Sequence, residues 1–239
     1  DAAQKSSLEA RAFYANIHTI ENPGGEVRGN LMAEATMYFM VPLSGASQTL
    51  AVNTAANGMI ILEVLGDSCT AVGAFNDLSG AFDASVAGGA HLHYGMAGEN
   101  GGIALFLDAQ TDADLMGGIF SAGDNRFQLS AGLLDTLRLR GLYANIHTMT
   151  HAAGELRGQC LPLAGNYFHT SLLGLNEADP FNTEASGSLK FELTGMVLTC
   201  TGSFAALQGQ FDASVAGGSH LHIAPAGQSG SIAVTLVPQ

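Results

Sequence analysis

Positive charge is scarce in this chain. Lysine and arginine together number eight in 239 residues, against 21 aspartates and glutamates, for a formal net charge of −13. So few cations cannot neutralise a phosphate backbone, which excludes nucleic acid as a partner. An acidic surface attracts cations instead. Charged residues of both signs make up only 12% of the chain while 47% is hydrophobic, which argues against disorder. Long apolar runs are also missing. No stretch approaches the roughly 20 apolar residues a membrane-spanning helix needs, and the run MYFMVPL at 37–43 has the length of a strand. Three cysteines (Cys69, Cys160 and Cys200) are too few for a disulfide scaffold. Two arrangements stay open: a Cys69–Cys160 bridge with Cys200 free, or three reduced thiols. There is no N-x-S/T sequon. No signal peptide is visible at Asp1, so the sequence reads as a mature chain or a fragment.

What the chain does have is repetition. Residues 82–93 read FDASVAGGAHLH and residues 211–222 read FDASVAGGSHLH; YANIHT occurs at 14–19 and again at 143–148. Both pairs are 129 residues apart. A fixed period of this kind marks a tandem module. Residues 37–165 form one uninterrupted copy. Residues 1–36 match only the back end of a copy and 166–239 only the front end, with Tyr167-Phe168 answering Tyr38-Phe39. Front and back ends together make a split copy that lacks only the counterpart of 111–129. Two open half-cores are costly, at about 25 cal/mol per Å² of apolar surface. Three outcomes relieve that cost: closure within the chain, closure between neighbouring chains in a head-to-tail polymer, or excision of the sequence from a longer array. All three predict His18 beside His220 and His222.

The local pattern is β. Short apolar segments at 58–65, 103–107, 189–193 and 232–236 are punctuated by Gly, Asn, Asp and Ser, which predicts antiparallel sandwich domains. Leu133, Leu134 and Leu137 recur at helical spacing after Ser130, which predicts a short helix over 130–140 and another over the matching 7–11.

The histidines carry the chemistry. His91 and His93, two apart on a strand, point to one face, where two imidazoles can ligate one ion at about 2.0–2.1 Å. His147 in the YANIHT strand is the third candidate. Such a set suits copper, zinc or nickel, and an open fourth position would permit catalysis. The split copy repeats the set as His220, His222 and His18. The competing reading is structural: Gly88-Gly89 form a turn and the histidines pin it. Retention of all six histidines while flanking residues drift (Tyr94-Gly95-Met96 against Ile223-Ala224-Pro225) favours a site. His151 and His169 have Asn22 and Met40 as counterparts and are read as surface or local hydrogen-bonding residues. Met96 answers Pro225 and is read as packing. GEVRG at 25–29 and GELRG at 154–158 place Glu26 with Arg28, and Glu155 with Arg157, on one strand face. They are read as an ion pair, a grip on loop carbonyls, or an anion guide beside a metal.

The segments YANIHT…PGGEVRGN at 14–30, their partner at 143–159, and (A/S)HLHxxxAGxxG at 90–101 and 219–230 resemble the signatures of CHRD (chordin-type) domains. The resemblance covers nearly the whole chain as one intact and one split domain. It departs from the common pattern at Thr150-His151-Ala152-Ala153, where Pro23 has no equivalent. It implies an extracellular, secreted setting. Growth-factor antagonism is not carried over, since the cysteine-rich modules associated with it in chordin are absent here. A fainter similarity to Cu/Zn superoxide dismutase matches His91, His93, His147 and Arg157, and His220, His222, His18 and Arg28 in the split copy. The bridging histidine and zinc-loop ligands have no counterpart, which leaves a mononuclear copper site at most.

The expectation from sequence is therefore a pair of superoxide-dismutase-like, Greek-key-like β-sandwiches in a secreted protein. It binds copper or zinc through these histidines, self-associates through the split domain, and serves an extracellular structural or assembly role rather than an enzymatic one. The alternatives are a metal-free filament or matrix subunit and a copper redox enzyme steered by Arg157.

Overall fold

The computed structural model describes residues 1–238. They form two compact units: Asp1–Gly95 with Asn100–Leu163, and Met96–Glu99 with residues 164–238.

The first unit contains α1 (Ala2–Glu9), β1 (Tyr14–Ile17), β2 (Val27–Asn30), β3 (Met37–Ser44), β4 (Asn57–Leu65), β5 (Ser68–Asn76), β6 (Ala90–Tyr94), β7 (Ile103–Phe106), β8 (Ala109–Thr111), β9 (Gly118–Phe120), β10 (Arg126–Gln128), α2 (Ala131–Arg138), β11 (Leu142–Ile146), β12 (Leu156–Gln159) and β13 (Leu161–Pro162). From β3 onward these strands make one eleven-stranded antiparallel sheet along the path β7-β6-β11-β12-β3-β4-β5-β9-β8, with β10 on β5 and β13 on β3. Alternation explains why the sheet folds over on itself. Phe39, Val41 and Leu43 of β3 share a face with Ile60, Leu62 and Val64 of β4. From the other end of the path come Leu92 of β6, Leu142 and Ile146 of β11, and Leu156 of β12, and all of these meet in one core. Two halves of a sheet feeding one cluster is the sandwich solution to burying an apolar face. This is the all-β antiparallel architecture the sequence predicts.

Helix α2 closes one end. Ser130 caps it by accepting from the Leu133 amide at 3.2 Å, and Leu133, Leu134 and Leu137 are buried. The matching helix is α1, capped by Asp1, the counterpart of Ser130. The expected helix over 7–11 is present but begins earlier, at Ala2, because the Asp1 cap and not the apolar spacing sets the start. All three cysteines are free thiols, with Cys69 and Cys160 inside the core, so of the two arrangements the structure adopts the reduced one.

Residues 1–36 are anchored to this unit on its outer face. Arg11 grips both carboxylate oxygens of the buried Glu63 at 2.9–3.1 Å, and the Ala33 amide donates to Glu63 at 2.8 Å. Met32 packs on Ile61, Val72 and Ala122. Between these anchors β1 and β2 form a separate two-stranded hairpin.

The second unit contains β14 (Asn166–Leu173), β15 (Ser186–Thr194), β16 (Val197–Ala205), β17 (His220–Ile223) and β18 (Ser231–Thr235). The first three make an antiparallel sheet and the last two a hairpin. At the repeat offset, β14, β15 and β16 answer β3, β4 and β5, while β17 and β18 answer β6 and β7.

Candidate metal centre

The pairing of β6 with β11 sets Tyr143 opposite His93 and Asn145 opposite His91. One face of this pair is apolar and belongs to the core. The other carries His91, His93, Tyr143 and Asn145, with His147 one residue past the strand. β12 adds Arg157 and Gln159 to it. This polar face is buried, apart from the half-buried His93. Loops cover it and bond several of its side chains, while Gln159 Oε1 has no hydrogen-bond partner among the described residues. Gln48 donates to Asn145 at 2.7 Å, and Arg157 donates to Asn100 at 3.1 Å. Gln159 donates to the carbonyls of Gly95, Arg140 and Leu142 at 2.6–2.9 Å. Tyr143 stacks on His93 with ring centroids 5.0 Å apart, and the Arg157 guanidinium lies 3.4 Å from the Tyr143 ring centre.

Within this face His91, His93 and His147 converge. Their ring centroids are 5.1–6.3 Å apart, and one nitrogen from each lies within 4.8 Å of the others. Backbone carbonyls fix which nitrogens these are. His91 Nε2 faces the Ala87 carbonyl at 2.6 Å, His93 Nδ1 faces Gly101 at 3.0 Å, and His147 Nδ1 faces Ala152 at 2.9 Å. A carbonyl oxygen only accepts, so each of these nitrogens carries the proton and donates. The remaining nitrogens, His91 Nδ1, His93 Nε2 and His147 Nε2, turn inward as lone pairs. All three are buried with no hydrogen-bond partner among the described residues. An orphaned buried acceptor costs about 1–3 kcal/mol, and here three share one spot.

The turn before β6 builds this geometry. Gly88 and Gly89 have φ of +89° and +85°, and a Cβ on Gly89 would meet the Phe82 ring at 2.4 Å. The turn presents the Ala87 carbonyl to His91, so the pinning role expected of the histidines is real for His91, and it leaves the ring's other nitrogen free. Gly154 plays a similar part: φ is +117°, and a Cβ there would strike the Asn145 side chain at 2.2 Å.

Electrostatics keep the site ready for a cation. Burial, then the neighbouring His91, holds the pKa of His147 below the ordinary histidine value. Burial, with the neighbouring His91 and His147 and the Arg157 charge, lowers that of His93. Both rings are therefore neutral at pH 7, the form that ligates metal. Glu155 is fully buried and accepts from Thr54, the Ser79 amide and Thr148 at 2.7–2.9 Å. Burial alone would raise its pKa; these hydrogen bonds outweigh it and hold the carboxyl below the usual range. Glu155 thus grips loop N–H and O–H donors.

The other expected site residues fall on the two halves of the split copy. His220 and His222 lie on β17 with ring centroids 4.8 Å apart. His222 Nδ1 donates to Gly230 at 2.8 Å, as His93 does to Gly101, and His220 Nδ1, like that of His91, is buried with no partner among the described residues. His18 lies on the N-terminal hairpin and donates through Nδ1 to Pro23 at 2.9 Å, as His147 does to Ala152. Arg28 lies 3.5 Å from the Tyr14 ring centre, as Arg157 does over Tyr143, while Glu26 is exposed. His18 belongs to the first unit, and His220 and His222 to the second. His151 and His169 are not members of the triad.

Sequence reasoning passed over Tyr143, Asn145 and Gln159 and the loop residues Gln48 and Asn100. For Tyr143 and Asn145 the signal was available: Tyr14 and Asn16 repeat them inside YANIHT.

The CHRD domain family matches residues 39–160 and again residues 168–239. No curated protein and no solved structure matches the chain, and the fainter likeness to Cu/Zn superoxide dismutase gains nothing from these comparisons. Two matched stretches covering most of the sequence, each with its HLH strand, settle the family: the chain belongs to the CHRD domain family.

Proposed function

We propose that this is a secreted CHRD protein whose intact module binds one copper or zinc ion through His91 Nδ1, His93 Nε2 and His147 Nε2. The observation that carries this reading is the set of three inward lone pairs, each fixed by an outward N–H to a backbone carbonyl. Such outer hydrogen bonds orient metal-ligating histidines and raise their basicity. Imidazole donors suit copper and zinc. Tetrahedral nitrogens about 2.0–2.1 Å from an ion sit about 3.3 Å from one another, so modest ring movement from the 4.8 Å limit completes the shell. Three protein ligands leave a fourth position for water or a small anion. The extracellular placement follows the family, and among the described residues no helix is long and apolar enough to cross a membrane.

Calorimetric titration of the chelator-treated chain with Cu²⁺ and Zn²⁺ tests the reading. Tight binding is expected at the triad, weakened at least 100-fold in His91→Ala and in His147→Ala. Unchanged affinity in both variants, at unchanged stoichiometry, overturns it.

A further inference from the structure

The split copy is folded locally as the intact copy is, but its apolar surface stays in solvent. Ile17 is 59% exposed where its counterpart Ile146 is 0%, and Val27 is 59% exposed where Leu156 is 0%. On the helix Leu8 is 47% exposed and Leu137 1%; on the second unit's sheet Phe204 is 38% exposed and Phe75 0%. The pieces that expose these residues are a hairpin β1/β2, a hairpin β17/β18 and a three-stranded sheet β14/β15/β16. An isolated hairpin is marginal in water. In the intact copy the equivalent pieces are joined: β6 pairs with β11, and β12 with β3.

We infer that the hairpin β1/β2 of one copy of this chain inserts between β17 and β14 of a second copy, completing there a second sandwich and a second three-histidine site. The intact module dictates the register. Tyr143 opposite His93 becomes Tyr14 opposite His222; Asn145 opposite His91 becomes Asn16 opposite His220; Ala144 opposite Leu92 becomes Ala15 opposite Leu221. On the other edge Arg157 opposite Ser44 becomes Arg28 opposite Leu173. The completed path reads β18-β17-β1-β2-β14-β15-β16. His18 then joins His220 and His222, with the Nδ1 protons of His18 and His222 already committed to Pro23 and Gly230 and the buried His220 Nδ1 lacking a partner.

A second copy is the occupant the chain itself describes. The hairpin is tied to its own unit through Arg11, Ala33 and Met32, and its strands remain exposed. The sequence that fits the open β17 edge is that of β11 and β12, and the hairpin carries it in YANIHT. Each junction consumes one donor hairpin and one acceptor edge from different copies, so the contact is heterologous and propagates. The apolar junction stands without metal. Its histidine site rests on the proposed function above, and the two fail separately.

Cysteines placed by the register test the junction. Ala15→Cys with Leu221→Cys, in a Cys200→Ser background, is oxidised and run without reductant. Paired strand positions lie about 4.5–5.5 Å apart, within disulfide reach, so a ladder of dimers, trimers and longer species is expected. Cross-linked monomer alone means closure within the chain and overturns the inference, as does the absence of any cross-link. A second variant guards against misfolding. Ile17→Asp with Val27→Asp alters only exposed residues. It is expected to leave the melting of the intact module unchanged and to reduce polymer in light scattering to monomer. Polymer that persists in it overturns the inference. Zinc stoichiometry separates the two readings: two ions per chain in polymer and one in the variant are expected, while polymer with one ion per chain removes the second site and leaves the junction.

Discussion

One chain holds the same module twice, uninterrupted at 37–165 and divided between its two ends. The local structure hardly differs. Arginine lies over tyrosine at 3.4 Å in one and 3.5 Å in the other, and the NIHT histidine donates to the carbonyl five residues on at 2.9 Å in both. What differs is the burial of the apolar face. The comparison separates two things that sequence alone runs together. Turns, caps and short strands are set by local chemistry. The buried polar face that gathers three imidazoles needs every strand of the sandwich in place.

The comparison breaks most sharply at the core. Phe75 packs against Phe82 and Phe120 and is fully buried. Phe75→Ala is expected to destabilise the closed module by about 3–5 kcal/mol. In the monomeric Ile17→Asp/Val27→Asp chain, Phe204→Ala is expected to cost much less, and in polymer the gap should narrow. Denaturant melts of the two variants in both states provide the check.

A smaller effect is expected at the loop grip. Glu155→Ala leaves the Ser79 amide and the Thr54 and Thr148 hydroxyls without their acceptor, a loss of about 1–3 kcal/mol; Glu26→Ala, at an exposed position, should shift the melt little. The pH dependence has a definite sign. The folded-state pKa of Glu155 is depressed, so its contribution is present above the unfolded value of 4.5 and is lost as pH falls through the folded one. Melts of the parent chain and Glu155→Gln between pH 3 and 6 should therefore converge at the acid end.

The thiols give the mildest contrast, one of rate. Burial pushes Cys69 up to about 12 and Cys160 higher still, whereas Cys200 is only partly buried. Native protein is expected to label at Cys200 first, with Cys69 and Cys160 reacting only on unfolding. Mass spectrometry of briefly alkylated protein reads this directly.

The 129-residue repeat made much of this legible in the sequence. The H-x-H strand, the apolar alternation of β4 and the Ser130 cap follow from local periodicity and capping. The register of β6 on β11 does not, because pairing between strands so far apart in sequence is decided by core closure. Nor does the loop cover from Gln48 and Asn100, which reaches the site only in three dimensions. The start of α1 was misplaced because Asp1, a cap at the first residue, has no preceding pattern to mark it. Which nitrogen of each histidine faces inward depends on the carbonyls of Ala87, Gly101 and Ala152, and no spacing rule supplies that.

The central claim is that three imidazoles present fixed lone pairs to one ion. Long-range ¹H–¹⁵N correlation of the histidine rings in the metal-free chain, repeated after one equivalent of Zn²⁺, tests it most directly. The account predicts His91 protonated on Nε2 and His93 and His147 on Nδ1, with zinc shifting only the opposite nitrogens. His93 and His147 protonated on Nε2, or ring nitrogens unmoved by zinc, would contradict it.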